Sequence, residues 1–352
     1  MRKWIKSLSL VPLLAFTAAA QVPTSVPNGL PSWAYNIPDN VQPPAAEVTG
    51  PIHLPGSTKE FTPGQVANGS NPPDWFPEEH GPAPRVVKDE TGVTKNACGA
   101  CHLMSGQGHP ESADIAGLPA EYIVRQMKYF KSGARKEDER MGPIAKVTSD
   151  EDARLAAEYF AAIKPIPWVQ VTETATPPKT YVSSAARHRL LVPEGGTEPI
   201  GHRIIEIPKD PARTTNRDPH SPFIAYVPPG SIAKGEALVK SGGSGKTVQC
   251  AICHGDDLKG LGEVPRIAGL QPVYIARQLT CIQDERRRSR GAYEESGFEP
   301  IRRRHYRYLC VPWVAAAAVN LSERRHGWPS TVACSLNELI VVERATFWLG
   351  MG

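Results

Sequence analysis

Residues 98–102 read Cys98-Gly99-Ala100-Cys101-His102, and residues 250–254 read Cys250-Ala251-Ile252-Cys253-His254. In each stretch two thiols stand three positions apart, so a single helical turn carries both of them on the same face. A histidine follows the second thiol directly, and its imidazole is a common ligand of transition metals. Each stretch therefore combines two sulfur nucleophiles with one metal-binding ring, and the chain contains this combination twice.

The pattern Cys-x-x-Cys-His is typical of c-type haem attachment. Two thiols at this spacing form thioethers with the two vinyl groups of a haem, and the histidine binds the iron from the proximal side. We therefore predict two covalently bound c-type haems as cofactors, each with its iron. The predicted attachment residues are Cys98, Cys101, Cys250 and Cys253, and the predicted proximal ligands are His102 and His254.

Other kinds of site use the same cysteine spacing. A Cys-x-x-Cys pair also occurs as half of a zinc site, as a thioredoxin-like redox pair and as a plain disulfide. All four cysteines could in principle share one zinc ion. Each pair, however, has its own histidine and lies in its own copy of a longer repeated block, which favours haem attachment.

The repeated block is found by shifting the chain by 152 residues, which superimposes the two motifs without a gap. The same shift places residues 115–118 on 267–270, both reading Ile-Ala-Gly-Leu. Tyr-Ile at 122–123 and Arg-Gln at 125–126 recur in the same way at 274–275 and 277–278. Two copies so far apart indicate two similar domains in tandem rather than a solenoid.

The first repeat predicts two amphipathic helices after the motif. Pro119 suits a first helical position, and apolar residues then follow a helical period as far as Gly133. Ser149 and the acidic residues after it resemble a capping box that opens a second helix, which Pro165 ends. We expect the apolar faces of both helices to form the walls of a haem crevice.

Met141 is the residue that we predict as the distal iron ligand of the first haem. It lies in the polar loop between the two predicted helices, from which a thioether can reach across the iron. A neutral sulfur ligand favours ferrous iron and raises its reduction potential. Met127 belongs to the apolar stripe of a helix and is expected in the core, and Met104 follows the motif too closely to cross to the opposite face.

On the basis of these motifs and the repeat, the chain resembles a tandem two-haem class I cytochrome c, a family found in bacterial periplasms. The resemblance covers residues 95–165 and 235–279. It implies an all-α fold of two tandem class I cytochrome c domains, joined and wrapped by Pro-rich extended segments. It also implies an electron-transfer protein rather than an enzyme, with Met/His-ligated haems and with redox partner proteins such as a dehydrogenase or a terminal oxidase.

The 35 prolines fall mainly between the repeats and suggest extended connections there. The predicted layout is a signal peptide at 1–20, an extended N-terminal segment at 21–94, a first domain at 95–165, a connector at 166–234, the beginning of a second domain at 235–279 and an aberrant tail at 280–352.

The first twenty residues are typical of a secretory signal. Arg2, Lys3 and Lys6 precede a short apolar stretch, and three alanines form a small-residue cleavage site before Gln21. We therefore expect export to the periplasm, although an uncleaved anchor remains an alternative. The formal net charge of +4 and the sequence before residue 280 do not indicate a nucleic-acid partner, and no later stretch is long and apolar enough to span a membrane.

The repeat stops after Leu279, and the Arg-rich sequence that follows contains all three cysteines outside the motifs, Cys281, Cys310 and Cys334. A reading frame that begins one nucleotide later changes what the codons for residues 299–312 can encode. In that frame they can encode a segment similar to the 149–160 helix, at the same 152-residue offset. Position 293 then permits a methionine equivalent to Met141. We therefore hypothesise that the tail is translated in a shifted frame. As written, the sixth ligand of the second haem is undefined, and His305 and His326 are not assigned as sites.

Two other classes of function use the same motif. A two-haem peroxidase needs an open sixth position on one iron and distal acid and base residues, and only the aberrant tail creates such a position here. A haem-based sensor or ligand-binding module also needs an iron that small ligands reach readily, which Met141 ligation of the first haem opposes.

Overall fold

The computed structural model describes residues 32–40, 42–43, 49–89, 96–137, 139–184, 187–245 and 248–283. The predicted signal peptide and the tail beyond residue 283 lie outside these residues. The helices are α1 (Pro63–Val66), α2 (Arg85–Lys88), α3 (Cys98–His102), α4 (Ala120–Ser132), α5 (Met141–Val147), α6 (Asp150–Ala162), α7 (Pro211–Thr215), α8 (Ser231–Gly245), α9 (Ala251–His254) and α10 (Pro272–Gln283). The strands are β1 (Ile52–His53), β2 (Glu60–Phe61), β3 (Val169–Glu173), β4 (Thr180–Val182), β5 (Arg189–Leu191), β6 (Ile205–Pro208) and β7 (Phe223–Val227).

The two helices predicted after the first motif are confirmed as α4 and α6. Helix α4 ends at Gly133, whose φ of 77° is a left-handed conformation that glycine adopts without steric cost. Helix α6 begins after Ser149, whose side chain accepts a hydrogen bond from the amide of Asp152 over 3.0 Å. Pro119 caps α4 from outside rather than occupying its first turn.

The loop predicted around Met141 is corrected by the structure, because Met141 is the first residue of helix α5. The carboxylate of Glu137 accepts hydrogen bonds from the amides of Arg140 over 2.9 Å, of Gly142 over 3.2 Å and also of Met141 itself. These amides open a helix and have no intrahelical partner, so the upstream carboxylate stabilises a turn that the apolar period did not reveal.

The core of the first unit lies between α2, α3 and α6. Its buried members are Val86, Val87, Met104, Ala116, Ala156, Tyr159, Phe160 and Ile163. Val86 and Val87 belong to the segment predicted as extended, yet they form a turn of helix and pack against the unit. At the 152-residue offset these two positions correspond to Leu238 and Val239, which are buried in α8. Both units therefore place two adjacent apolar residues of an N-terminal helix in their cores.

The connector contains a sheet that the all-α expectation did not include. Strand β7 lies between β3, to which it runs parallel, and β6, to which it runs antiparallel. β4 and β5 form a separate antiparallel pair. The all-α prediction therefore applies to the haem-motif units alone. The many prolines of the connector argued against strands in the sequence. In the structure they stand at strand ends or, as with Pro208, on the edge strand β6, where a missing amide is tolerated.

This connector sheet completes the core of the second unit. Trp168, Phe223, Ala225 and Val227 of the connector are buried together with apolar residues of α8, α10 and the loop after α9. The second unit therefore packs on the sheet, whereas the first packs on α2. Within the part of the chain that the structure describes, no helix is both long enough and apolar enough to span a membrane.

Candidate haem-binding sites

The first Cys-x-x-Cys-His motif forms the single-turn helix α3, as its spacing predicts. Cys98 and Cys101 are half-buried, and neither is part of a disulfide. The Nδ1 atom of His102 lies 2.8 Å from the carbonyl oxygen of Ala113. Because a carbonyl only accepts hydrogen bonds, Nδ1 carries the proton and Nε2 keeps its lone pair. Metal-binding histidines in proteins are oriented by this kind of bond on the opposite ring nitrogen.

The second motif repeats this arrangement. Cys250 precedes helix α9, and the Nδ1 atom of His254 lies 2.8 Å from the carbonyl oxygen of Pro265. Pro265 stands at the position equivalent to Ala113. The orienting group is a main-chain carbonyl in both units, so alanine and proline serve equally well. Residue identity could not have indicated it.

In both units the loop after the motif has the same backbone hydrogen bond, and this loop places the carbonyl of Ala113 or Pro265 beside the motif histidine. Gly108 donates its amide to the carbonyl of His102 over 2.9 Å, and Gly260 donates to the carbonyl of His254 over 2.8 Å. Both glycines have positive φ, and a Cβ at Gly108 or Gly260 would lie within 2.6 Å of a main-chain oxygen. These two positions therefore require glycine, both for the backbone conformation and for space.

Burial favours the neutral form of the His102 ring. Its removal from water lowers the pKa of His102, against the opposing effect of the Ala113 carbonyl. A lowered pKa favours the neutral ring, which is the form that binds a metal ion. The edge of Phe160, with ring centroids 6.2 Å apart, packs against the same imidazole.

The residues present fit a c-type haem. Each unit supplies two reduced cysteines one turn apart and a histidine whose Nδ1 is fixed by a carbonyl. Within the described ranges, no three side chains of His, Cys, Asp or Glu converge as a metal cluster would require. Two thiols and one imidazole nitrogen in each unit suit thioether attachment with one protein nitrogen on the iron, whereas a closed zinc site takes four protein ligands.

The three methionines of the first unit occupy different environments. Met104 is 6% exposed, and its sulfur lies 2.5 Å from the position that a Cβ on Gly99 would take, so it packs against helix α3. Met127 lines a small cavity with Ala145 and Ala153, between α4, α5 and α6. Both positions agree with a packing role. Met141 is half-buried at the start of α5, and its role as distal ligand stays a prediction.

The two motifs differ in how they are covered. Gly99 and Ala100 are buried, and the guanidinium of Arg217 donates a hydrogen bond to the carbonyl of Ala100 from the connector. In the second motif Ile252 is 63% exposed and Cys253 is also exposed. The sequence did not predict this difference, because the cover of the first motif comes from a distant part of the chain.

Two ion pairs link the units and are related by the repeat. Arg125 of the first unit contacts Glu263 of the second at 2.8 Å, and Arg277 of the second contacts Glu111 of the first at 3.3 Å. Glu111 and Glu263 are equivalent positions, as are Arg125 and Arg277. The two units thus face each other across an approximate two-fold axis. The equivalence of the two glutamates is readable from the sequence, but their pairing across the axis is not.

Similarity to known proteins supports the same assignment, although no family model matches the chain. The chain is 28% identical over 193 residues to the thiosulfate dehydrogenase electron acceptor of Thiomonas intermedia, which covers 53% of this chain and 63% of that protein. It therefore spans less than two thirds of that relative. It is 35% identical over 68 residues to cytochrome c-554(548) of Halomonas halodenitrificans, which covers 18% of this chain and 82% of that protein.

Among solved structures, cytochrome c4 of Acidithiobacillus ferrooxidans is similar to the chain with a TM-score of 0.39 and 22% sequence identity. The similar region covers 64% of this chain and 97% of that one. Identity of 35% across most of a small cytochrome, together with two equivalent motif loops, establishes the family. The chain belongs to the c-type cytochromes and is a tandem two-haem member of that family.

Proposed function

We propose that this protein transfers electrons in the periplasm through two c-type haems, as a free carrier or as the haem subunit of an exported oxidoreductase. The observation that carries the proposal is the recurrence of one histidine geometry, with Nδ1 held at 2.8 Å from a carbonyl in both units. A bound haem supplies the one-electron change of its iron. The chain supplies attachment, orientation and exclusion of water.

The residues divide these tasks between them. Cys98 and Cys101 in the first unit, and Cys250 and Cys253 in the second, hold the porphyrin covalently. His102 and His254 bind iron through Nε2, because Nδ1 is committed to the main chain in both units. Met141 provides the sixth ligand of the first unit from the start of α5. Because its thioether sulfur is neutral, such a ligand would favour the ferrous state of the iron.

The two haem domains comprise residues 95–165 and 235–279, and the Pro-rich segments at 21–94 and 166–234 join and cover them. Ion pairs from both sides of the approximate two-fold axis favour one relative placement of the units. Electron transfer within one molecule benefits from a fixed separation between its centres, because orientation is then set before each event.

The redox partner that we propose is an exported dehydrogenase, which delivers electrons to this chain. A relative named as an electron acceptor of thiosulfate dehydrogenase supports this class of partner. The N-terminal sequence, with its basic residues, apolar stretch and alanine-rich cleavage site, supports export with removal of residues 1–20.

Expression in a bacterial host that matures c-type cytochromes tests the proposal. We expect a haem-staining monomer with two covalent haems by intact mass and by pyridine haemochrome absorbance. Replacing Cys98 and Cys101 by alanine should leave one haem, and replacing Cys250 and Cys253 should leave the other. Protein that matures without any covalent haem would refute the proposal.

Two further measurements separate electron transfer from the other classes. Turnover of peroxide that is lost when a distal acid or base is replaced would indicate a peroxidase. Rapid carbon monoxide binding to the ferrous first haem would indicate a ligand-binding module, and would also contradict ligation by Met141. An electron carrier is expected to do neither, and to be reduced by an exported dehydrogenase and reoxidised by an artificial acceptor.

A further inference from the structure

A second contact lies on the approximate two-fold axis itself. Asp114 of the first unit and Arg266 of the second occupy equivalent positions at the 152-residue offset. They form an ion pair with 2.6 Å between Oδ1 and Nη2. Their side chains are 1% and 8% exposed, so both charges are buried between the units.

The other contacts of Arg266 show that it lies near this axis. Its guanidinium donates to the carbonyl of Ala116 over 3.0 Å and to the carbonyl of Ala268 over 3.0 Å. Ala116 and Ala268 are also equivalent positions in the two units. A side chain that contacts the same main-chain atom of both repeats must lie close to the axis that relates them.

A position on such an axis faces its own counterpart. If two first units met through this surface, Asp114 would face Asp114, and if two second units met, Arg266 would face Arg266. Like charges buried a few ångströms apart in a medium of low dielectric constant repel strongly. Only the pairing of one unit of each kind leaves the axis neutral.

We propose that the Asp114–Arg266 pair selects the partner of each unit, so that the surface accepts the unlike unit and rejects a second copy of its own kind. Arg125, Glu263, Arg277 and Glu111 lie off the axis, and they would pair equally well between like units because each unit presents one arginine and one glutamate. Of these three ion pairs, only the axial one distinguishes an unlike unit from a second copy of the same unit. This inference uses the geometry of the described residues and does not depend on the proposed electron transfer.

Charge reversal in the full-length haem protein tests the proposal. D114R places two arginines on the axis and R266D places two aspartates there, so each single variant should lose on the order of 10 °C in melting temperature. The double variant D114R/R266D restores an unlike pair. Because the position is axial, the arginine at 114 would reach the Ala116 and Ala268 carbonyls from the other side. We expect the double variant to recover at least half of the loss.

Matched controls separate selection from ordinary packing. The off-axis reversal R125E, which leaves an exposed Glu263 facing a glutamate, should lower the melting temperature by only a few degrees. D114N removes one charge without creating repulsion and should be more stable than D114R. Size-exclusion chromatography with light scattering reports the oligomeric state, and haem absorbance reports maturation independently.

The decisive comparison is between the double reversal and the single ones. The proposal would be overturned if the double variant melted no higher than the less stable single variant. It would also be overturned if the loss in melting temperature of the double variant equalled the sum of the two single losses. If D114R and R266D fail to accumulate, the double variant still decides: its recovery as a haem-loaded monomer supports selection, and its failure beside a folded D114N contradicts it. If the melting temperatures follow the expected pattern but the protein does not transfer electrons, the result contradicts the proposed function and leaves the selection by the axial pair standing.

Discussion

The indole Nε1 of Trp168 donates a hydrogen bond to the carbonyl oxygen of Gly108 over 3.2 Å, and both groups are buried. Trp168 belongs to the connector and packs edge-on against Phe223 of β7, with ring centroids 5.9 Å apart. Gly108 belongs to the loop that returns the Ala113 carbonyl to His102. One indole thus ties the connector sheet to the loop that orients the proposed first iron ligand.

Replacing Trp168 by phenylalanine should loosen this loop. The W168F variant loses a buried hydrogen bond and leaves the Gly108 carbonyl without its donor, at an expected loss of about 1–3 kcal/mol in the free energy of unfolding. Chemical denaturation monitored by circular dichroism measures the loss. W33F alters a partly buried tryptophan that packs on the same core and serves as the control. Equal effects of the two substitutions would contradict a special role for the Trp168 hydrogen bond.

Replacing Met141 by alanine tests the sixth ligand of the first unit. We expect M141A to keep both covalent haems, to lose the absorption band of a sulfur ligand in the ferric state, and to lower one of two reduction potentials by on the order of 0.1 V. A redox titration followed by optical absorbance gives both results. M127A should change neither, because Met127 lines a packing cavity between helices. An unchanged potential in M141A would refute the assignment.

Glu206 predicts a pH dependence of stability. It is 2% exposed on β6, and neither carboxyl oxygen has a hydrogen-bond partner of good geometry among the described residues. Burial raises the pKa of Glu206 to about 8, against the Val273 amide and the Arg277 guanidinium, whereas the Glu111 carboxylate adds to the rise. The folded protein therefore keeps a proton that the unfolded chain loses near pH 4.5.

It follows that stability should fall by a few kcal/mol as pH rises from about 4.5 to about 8. The E206Q variant cannot ionise, so its free energy of unfolding should change less over this range and exceed that of the parent at pH 8. Urea denaturation at half-unit pH steps measures both curves. Parallel curves for parent and variant would show that Glu206 does not take part.

His80 predicts a dependence in the same direction at the N-terminal segment. Its Nε2 atom lies 3.1 Å from a carboxylate oxygen of Asp74, and this hydrogen bond raises the pKa of His80 above 6.5. The stabilisation that the His80–Asp74 contact contributes is thus complete below pH 6.5, and it is lost as pH rises through the folded-state pKa of His80. Relative to H80Q, the parent should be more stable by about 1 kcal/mol or less at pH 6, with a smaller difference at pH 8. A difference independent of pH would contradict this explanation.

The hypothesis of a shifted frame concerns residues from about 280 onward, most of which lie outside the described residues. Helix α10 itself continues through Thr280 to Gln283, just past the point at which the sequence repeat stops. Sequencing the gene from codon 270 to its stop and measuring the intact mass tests the hypothesis. Restoration of the frame should yield a methionine at position 293. A gene and a mass that both match the present sequence would exclude a sequencing error.

Local periodicity and motif spacing explain why α3, α4 and α6 could be predicted. Each depends on residues close together in the sequence, such as Ser149 at the start of α6 or Gly133 at the end of α4. Helix α5 could not be predicted in this way, because its first amides bond to a side chain upstream of it. One of the two pairings in the connector sheet, that of β3 with β7, joins strands more than fifty residues apart, such as Val169 with Phe223.

The candidate sites divide in a similar manner. The thiols and histidines are readable from the motif alone, because the chemistry requires those residue types. The carbonyl of Ala113 or Pro265 is not readable, since every residue has one. Contacts between the units also needed the structure, because the pairing of Asp114 with Arg266 depends on how two repeats face each other rather than on either repeat alone.

The unequal cover over α3 and α9 has an electrical consequence. The carbonyl of Ala100 accepts a hydrogen bond from the Arg217 guanidinium, and a group held in this way keeps its orientation when a nearby charge changes. Around Ile252, which is 63% exposed, water molecules must turn to follow the same change. A haem attached at the second motif would therefore require more solvent rearrangement on each electron transfer than a haem attached at the first.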